Sequence, residues 1–169
     1  MSGCGCCATG GGQGDAAVAC RAVEVTLVVE IAASPAKVWG AMTTGLGNWW
    51  LKDFHCAPGS KGIAMELKVG GRVWETDGRG GGLLWYTIGA IEKGRSITMS
   101  GHIGPPFGGP ATTILNWSIE KSGKGTRFTL TDNLFGAVDG AMSAQIDSGW
   151  RQLIGVGLKG YLEKARKGR

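Results

Sequence analysis

At 169 residues the chain is long enough to bury one substantial core without disulfides or metal. Its net charge of +5, from 18 Lys and Arg against 13 Asp and Glu, is spread along the chain with no basic, aromatic-interleaved motif, which argues against a nucleic-acid partner. No apolar run approaches the roughly 20 residues of a membrane span, and the opening has neither the basic nor the apolar region of a secretory signal. A cytoplasmic location is therefore expected, with the five cysteines reduced.

Residues 1–21 read as a disordered Gly/Cys-rich tail, and residues 22–167 as a single domain. Cys4, Cys6 and Cys7, with Cys20 as a fourth thiolate, are soft ligands, but their spacing matches no zinc-finger pattern, and no metal is expected. Val23, Val25, Leu27, Val29 and Ile31 then alternate with mainly polar residues, which predicts a strand with one buried face. Ser34-Pro35 opens a helix over 35–43 that buries Val38, Trp39 and Met42. Gly45 and Gly47 break it, and a second helical turn is expected to hold Trp49, Trp50 and Leu51.

Six strands follow, over about 63–69, 72–77, 83–92, 95–103, 112–121 and 125–133. Gly70-Gly71, Asp77-Gly78, Lys93-Gly94 and Gly123-Lys124-Gly125 supply turns short enough to favour antiparallel neighbours. The segment GPPFGGP, 104–110, is a loop or rim. The chain closes on an amphipathic helix whose stripe runs Met142, Ile146, Trp150, Leu153, Ile154, Leu158, Tyr161, Leu162. Cations at its end, Lys159, Lys164, Arg166, Lys167 and Arg169, complement the helix dipole. The order is β-α-α-β6-α, an α+β class in which a curved antiparallel sheet and a long helix enclose space between them.

ASPAKVWGAMT, the NWW pair, VGGRVWE, GGLLWYTIGAIEKGRSITMSG, GTRFTLTDNLFG and GWRQLIGVGLKGYLE together span about residues 23–165. Their wording and order resemble the SRPBCC (START-like, helix-grip) superfamily. Within it the chain is similar to the branch named for homologues of the activator of the heat-shock-protein-90 ATPase. The resemblance implies a curved sheet gripping the C-terminal helix. Members hold lipids, hormones or polyketides between sheet and helix, catalyse reactions on them, or act as chaperone partners.

Seven tryptophans fall on nearly every element. Flat, rigid aromatics around a concavity suit an apolar or aromatic ligand, and they also serve simply to fill a core. The cavity candidates are Trp50, Trp74, Trp85, Met99, Trp117, Phe128, Asp132, Trp150 and Ile154. Asp132 continues the inward register of Phe128 and Leu130, at a point where relatives often carry Leu-Thr-His. A carboxylate there could bind a cation, act as a base, or cap a turn. Glu75 and Asp77 share the face of Val73, though strand ends commonly carry exposed acids. His102 falls on the solvent face, and His55 beside Cys56 lacks the placed base a nucleophile needs.

Gly149, Gly155, Gly157 and Gly160 in the final helix suggest close approach by sheet, ligand or partner. No Ser-His-Asp triad, metal site or phosphate loop is present, so no catalytic residue and no cofactor are expected. The leading expectation is non-enzymatic binding of a small hydrophobic or aromatic molecule. The alternatives are a cyclase- or hydratase-like enzyme using a cavity carboxylate, and a chaperone-interacting cofactor. Oligomeric state is not legible.

Overall fold

The computed structural model describes residues 19–167, with side chains through Lys164. The Cys4, Cys6 and Cys7 cluster of the expected tail lies outside the described residues. Strand β1 (Arg21–Ile31) begins within the segment assigned to that tail, and β2 (Ile63–Met65), β3 (Arg72–Thr76), β4 (Gly82–Glu92), β5 (Ser96–Ile103), β6 (Ala111–Ser122) and β7 (Gly125–Gly136) follow. They form one antiparallel sheet in the order β1-β7-β6-β5-β4-β3-β2. Every hairpin from β2 to β7 joins neighbours, as the short turns demand. The last strand returns to pair with the first, putting Val25 opposite Asp132 and Leu27 opposite Leu130.

Period-two burial gives the sheet a single inner face: Ile97 and Met99 on β5, Leu115, Trp117 and Ile119 on β6, and Phe128, Leu130, Asp132 and Leu134 on β7. Helix α1 (Pro35–Met42) buries Val38 and Met42 completely, while Trp39 is only half-buried. Two single 3₁₀ turns, Leu46–Asn48 and Lys52–Phe54, flank Trp49 and Trp50 instead of one turn holding them. The expected strand 63–69 stops at Met65, because Glu66 turns back to accept hydrogen bonds from the backbone and guanidinium of Arg72.

The C-terminal helix is three segments in one run: α2 (Gly140–Gln152), a π-helical stretch (Leu153–Lys159) and α3 (Gly160–Lys167). Asp139 caps α2 by accepting from the Met142 N–H at 2.7 Å. The apolar stripe buries Trp150, Leu153, Ile154, Leu158 and Leu162, but Tyr161 is exposed. A wider π turn advances the phase of the residues after it, so the i+3 position after Leu158 leaves the buried side. Among the described residues no helix is long and apolar enough to cross a membrane.

Candidate functional site

The space between sheet and helix is packed at one end and open at the other. At the packed end Trp117 meets Phe128 and Trp150 edge-on, with ring centroids 6.0 and 6.3 Å apart. Met99, Trp117, Phe128 and Ile154 are at most 2 % exposed, so they are core and not cavity lining. Among the described residues the Trp117 indole nitrogen is buried without a hydrogen-bond partner, at the centre of these packed rings.

At the other end a cavity of about 740 Å³ opens between the ends of β4 and β5, the turn Pro105–Phe107, and the first three turns of α2. That volume lies within the range of small-molecule sites. Trp50 and Trp85, 5.6 Å apart in an edge-to-face pair, line one side. Met142, Ile146 and Leu153 of the helix line the other. Leu84 and Phe107 stand half-exposed at the mouth, so the GPPFGGP loop is indeed a rim.

The lining carries one buried charge. Asp132, 2 % exposed, accepts hydrogen bonds from the Thr113 hydroxyl and from the Trp150 indole N–H, the latter at 2.9 Å. Burial pushes its carboxyl above the ordinary range of about 3.9, and the two donors only partly oppose this. Tyr86 lies beside it, 6 % exposed, its phenol held well above its usual pKa by burial and then by the Asp132 charge. Gly101 makes this arrangement possible. A Cβ there would sit 2.9 Å from Tyr86 Cδ1, so the bare backbone of β5 lets the ring lie across it toward β6.

Trp85 and Tyr86 are adjacent in sequence, yet both line the cavity. The register explains it: Val73 pairs with Tyr86 and Trp74 with Leu84, leaving Trp85 as the extra residue of a bulge. Bulges re-aim side chains in this way. Trp74, by contrast, does not line the cavity. It sits under the Arg72 guanidinium, 5.0 Å from its ring centroid, on the face opposite Val73 and Glu75.

Glu75 is a second buried carboxylate, 1 % exposed, and it faces a knot of chain and not the cavity. It accepts from the Trp85 indole at 2.7 Å and from the backbone N–H groups of Cys56 and Ala57 at 3.0 and 3.2 Å. His55 Nδ1 stands 3.1 Å away and also 3.0 Å from Ser60 Oγ. Desolvation raises its pKa, but the donors of Cys56, Ser60, Trp85 and Ala57 together outweigh it, and Glu75 titrates below its ordinary range. Ser60 and Glu75 share one histidine nitrogen, so this is not a relay in which imidazole links nucleophile to acid. Cys56 has its thiol pushed up by burial and by Glu75, which suits an inert residue.

Of the residues picked from sequence, the structure therefore brings Trp50, Trp85, Asp132 and Trp150 to the cavity. Asp77 closes the β3–β4 turn by accepting from Arg79 and Gly81, and His102 is exposed at the rim, 3.2 Å from Thr112 Oγ1. Tyr86, Thr113 and Gly101 were missed. The Thr113 signal was present, since it shares the inward register of Leu115 and Trp117, but Tyr86 needed knowledge of the bulge. Among the helix glycines only Gly157 is approached closely: a Cβ there would meet the Trp49 carbonyl oxygen at 2.9 Å, whereas Gly155 faces open space. Among the described residues no cluster of His, Cys, Asp and Glu could hold a metal.

Solved structures of similar shape support the fold. Aha1 from Colwellia psychrerythraea, a dimer in solution, superposes with a TM-score of 0.61 at 23 % identity, over 83 % of this chain and 96 % of that one. DynU16, from the dynemicin biosynthetic locus, gives 0.60 at 20 % identity, over 84 % of this chain and only 48 % of its own length. CalU16 from Micromonospora echinospora gives 0.58 at 18 % identity, covering 83 % and 74 %. Among curated proteins none matches the chain significantly in sequence. The family model for activator of Hsp90 ATPase homolog 1-like protein matches residues 32–163, nearly the whole helix-grip domain, and the chain belongs to that family within the SRPBCC superfamily.

Proposed function

We propose that the domain binds a small apolar or aromatic molecule in the cavity between the sheet and α2. The observation that carries this is an unfilled, aromatic-walled cavity of about 740 Å³ beside a core whose hydrophobic side chains are all at most 8 % exposed. Apolar walls provide the affinity and a few converging polar atoms set orientation. DynU16, named for a biosynthetic locus, shares the fold, so natural-product scaffolds belong among the first probes. A calorimetric and thermal-shift screen against flavonoids, polyketides and fatty acids should find saturable binding that Ala137→Trp, which narrows the cavity, abolishes while the variant stays folded. Binding that survives the blocked cavity would place the ligand elsewhere and defeat the reading.

One observation favours a second reading, catalysis by the cavity carboxylate. Asp132 sits in the lining with its pKa raised by burial, which makes its carboxylate a stronger base toward a bound molecule than an exposed one. Turnover of an enolisable ketone that Asp132→Asn stops without weakening binding would establish it. Binding without turnover across the screen would leave the domain a carrier.

A further inference from the structure

Within the cavity just assigned to an apolar ligand, hydrogen-bonding capacity is gathered at one spot and is unevenly satisfied. Among the described residues each Asp132 oxygen has a single donor: the Thr113 hydroxyl on Oδ1 and the Trp150 indole on Oδ2. A carboxylate has about four lone-pair sites, so acceptor capacity remains. Tyr86 supplies the complement. Its side chain is 6 % exposed, it lines the cavity, and among the described residues no hydrogen bond reaches its hydroxyl. The phenol oxygen is not among the sealed, unpartnered polar atoms, so it opens on the cavity, where a ligand group can reach it.

The backbone fixes how the two groups relate. Asp132 pairs across β7–β6 with Leu115, next to Thr113, and Thr113 pairs across β6–β5 with Gly101. Since Gly101 has no side chain, the Tyr86 ring crosses β5 directly toward the Thr113–Asp132 pair. The phenol donor and the spare carboxylate acceptor therefore converge on the same stretch of wall. The Asp132 charge acts on the phenol, as expected of neighbours.

We propose that this pole recognises a hydroxyl group on the ligand, an aryl or alkyl O–H that accepts from Tyr86 and donates to Asp132. The inference rests on the cavity being a ligand site, and it narrows the ligand class to hydroxylated aromatic or alicyclic molecules. A hydroxyl satisfies both partners through a single atom. A ketone oxygen would accept from Tyr86 but face the carboxylate with another acceptor. An ether would keep the acceptor and lose the donor. A hydrocarbon would leave Tyr86 unpaired, and sites built around a ligand hydroxyl reject analogues lacking it strongly.

Isothermal titration calorimetry with 2-naphthol, 2-methoxynaphthalene and naphthalene separates these cases on one ring system. The full chain should bind 2-naphthol at least about tenfold more tightly than either analogue. In Tyr86→Phe, which keeps the ring over Gly101, and separately in Asp132→Asn, that gap should shrink severalfold or more. Equal affinities for all three probes in the unaltered protein, or a gap that Tyr86→Phe leaves intact, would overturn the hydroxyl pole while leaving the cavity a ligand site. Failure of all three to bind would overturn the cavity reading and the inference with it. Because two variants probe the pole from opposite sides, a folding defect in one does not remove the test.

Discussion

Glu75 and Asp132 are both inward-facing carboxylates on strands of one sheet, 1 % and 2 % exposed, yet their surroundings drive them in opposite directions. Glu75 collects two backbone N–H groups, an indole and a histidine, and is held below the ordinary carboxylate range. Asp132 collects a hydroxyl and an indole, and burial wins. Burial alone therefore says little about the role of an acid. The number of donors that the fold commits to it separates a fastening from a group left available to a ligand. Glu75 is the fastening: it ties the segment Cys56–Ala57 and the bulged Trp85 to β3, and so sets the aromatic wall that Asp132 faces across the cavity.

The contrast can be broken most severely at Glu75. Glu75→Ala leaves two buried backbone donors and the Trp85 indole without an acceptor, and should cost about 3 kcal/mol or more in denaturant unfolding. Loss of under about 1 kcal/mol would mean the knot is not structural. The next largest effect is expected at Gly101. Gly101→Val drives a side chain into the Trp85 backbone carbonyl and, beside it, the Tyr86 ring, and should cost about 3 kcal/mol while shifting Tyr86 off the Asp132 pole. It should also remove any preference for hydroxylated probes, as read by calorimetry.

The two carboxylates also give opposite pH dependences. Glu75 titrates lower when folded, so its contribution is present above about pH 4.3 and is lost as pH falls through the folded value. Asp132 titrates higher when folded, so the folded state binds the extra proton between the two values, and stability falls as pH rises through that window. Asp132→Asn should therefore flatten the decline above pH 4, and Glu75→Gln should flatten the acid loss. Denaturation midpoints from pH 3 to 8 read both. The smallest effect concerns the helix. Gly155→Ala, with open space around its Cβ, should stabilise by up to about 1 kcal/mol, whereas Gly157→Ala should destabilise because Trp49 occupies the place of its side chain.

Sequence periodicity was enough to place the inner face of β7, where Phe128, Leu130 and Asp132 alternate without interruption. The same rule failed on β4, because the extra residue at Trp85 resets the alternation and turns Tyr86 inward beside it. A bulge leaves little trace in residue types, so half of the polar pole was invisible. The helix stripe was legible through Leu162 except at Tyr161, which the π turn moves to solvent. The aromatic excess announced a packed or ligand-lined interior but could not divide it. Trp117 is sealed by Phe128 and Trp150, whereas Trp50 and Trp85 border open volume, and that partition depends on long-range packing. His55 and Glu75 lie 20 residues apart, and nothing in either segment marked them as partners.

Carboxyl-carbon NMR during titration with 2-naphthol separates the two carboxylates in one experiment. A ligand at the Asp132 pole should produce a saturable shift of the Asp132 resonance and of its pH midpoint, with Glu75 unmoved in both. Movement of Glu75 with Asp132 unchanged, or no movement at either carboxylate while 2-naphthol binds, would contradict this placement.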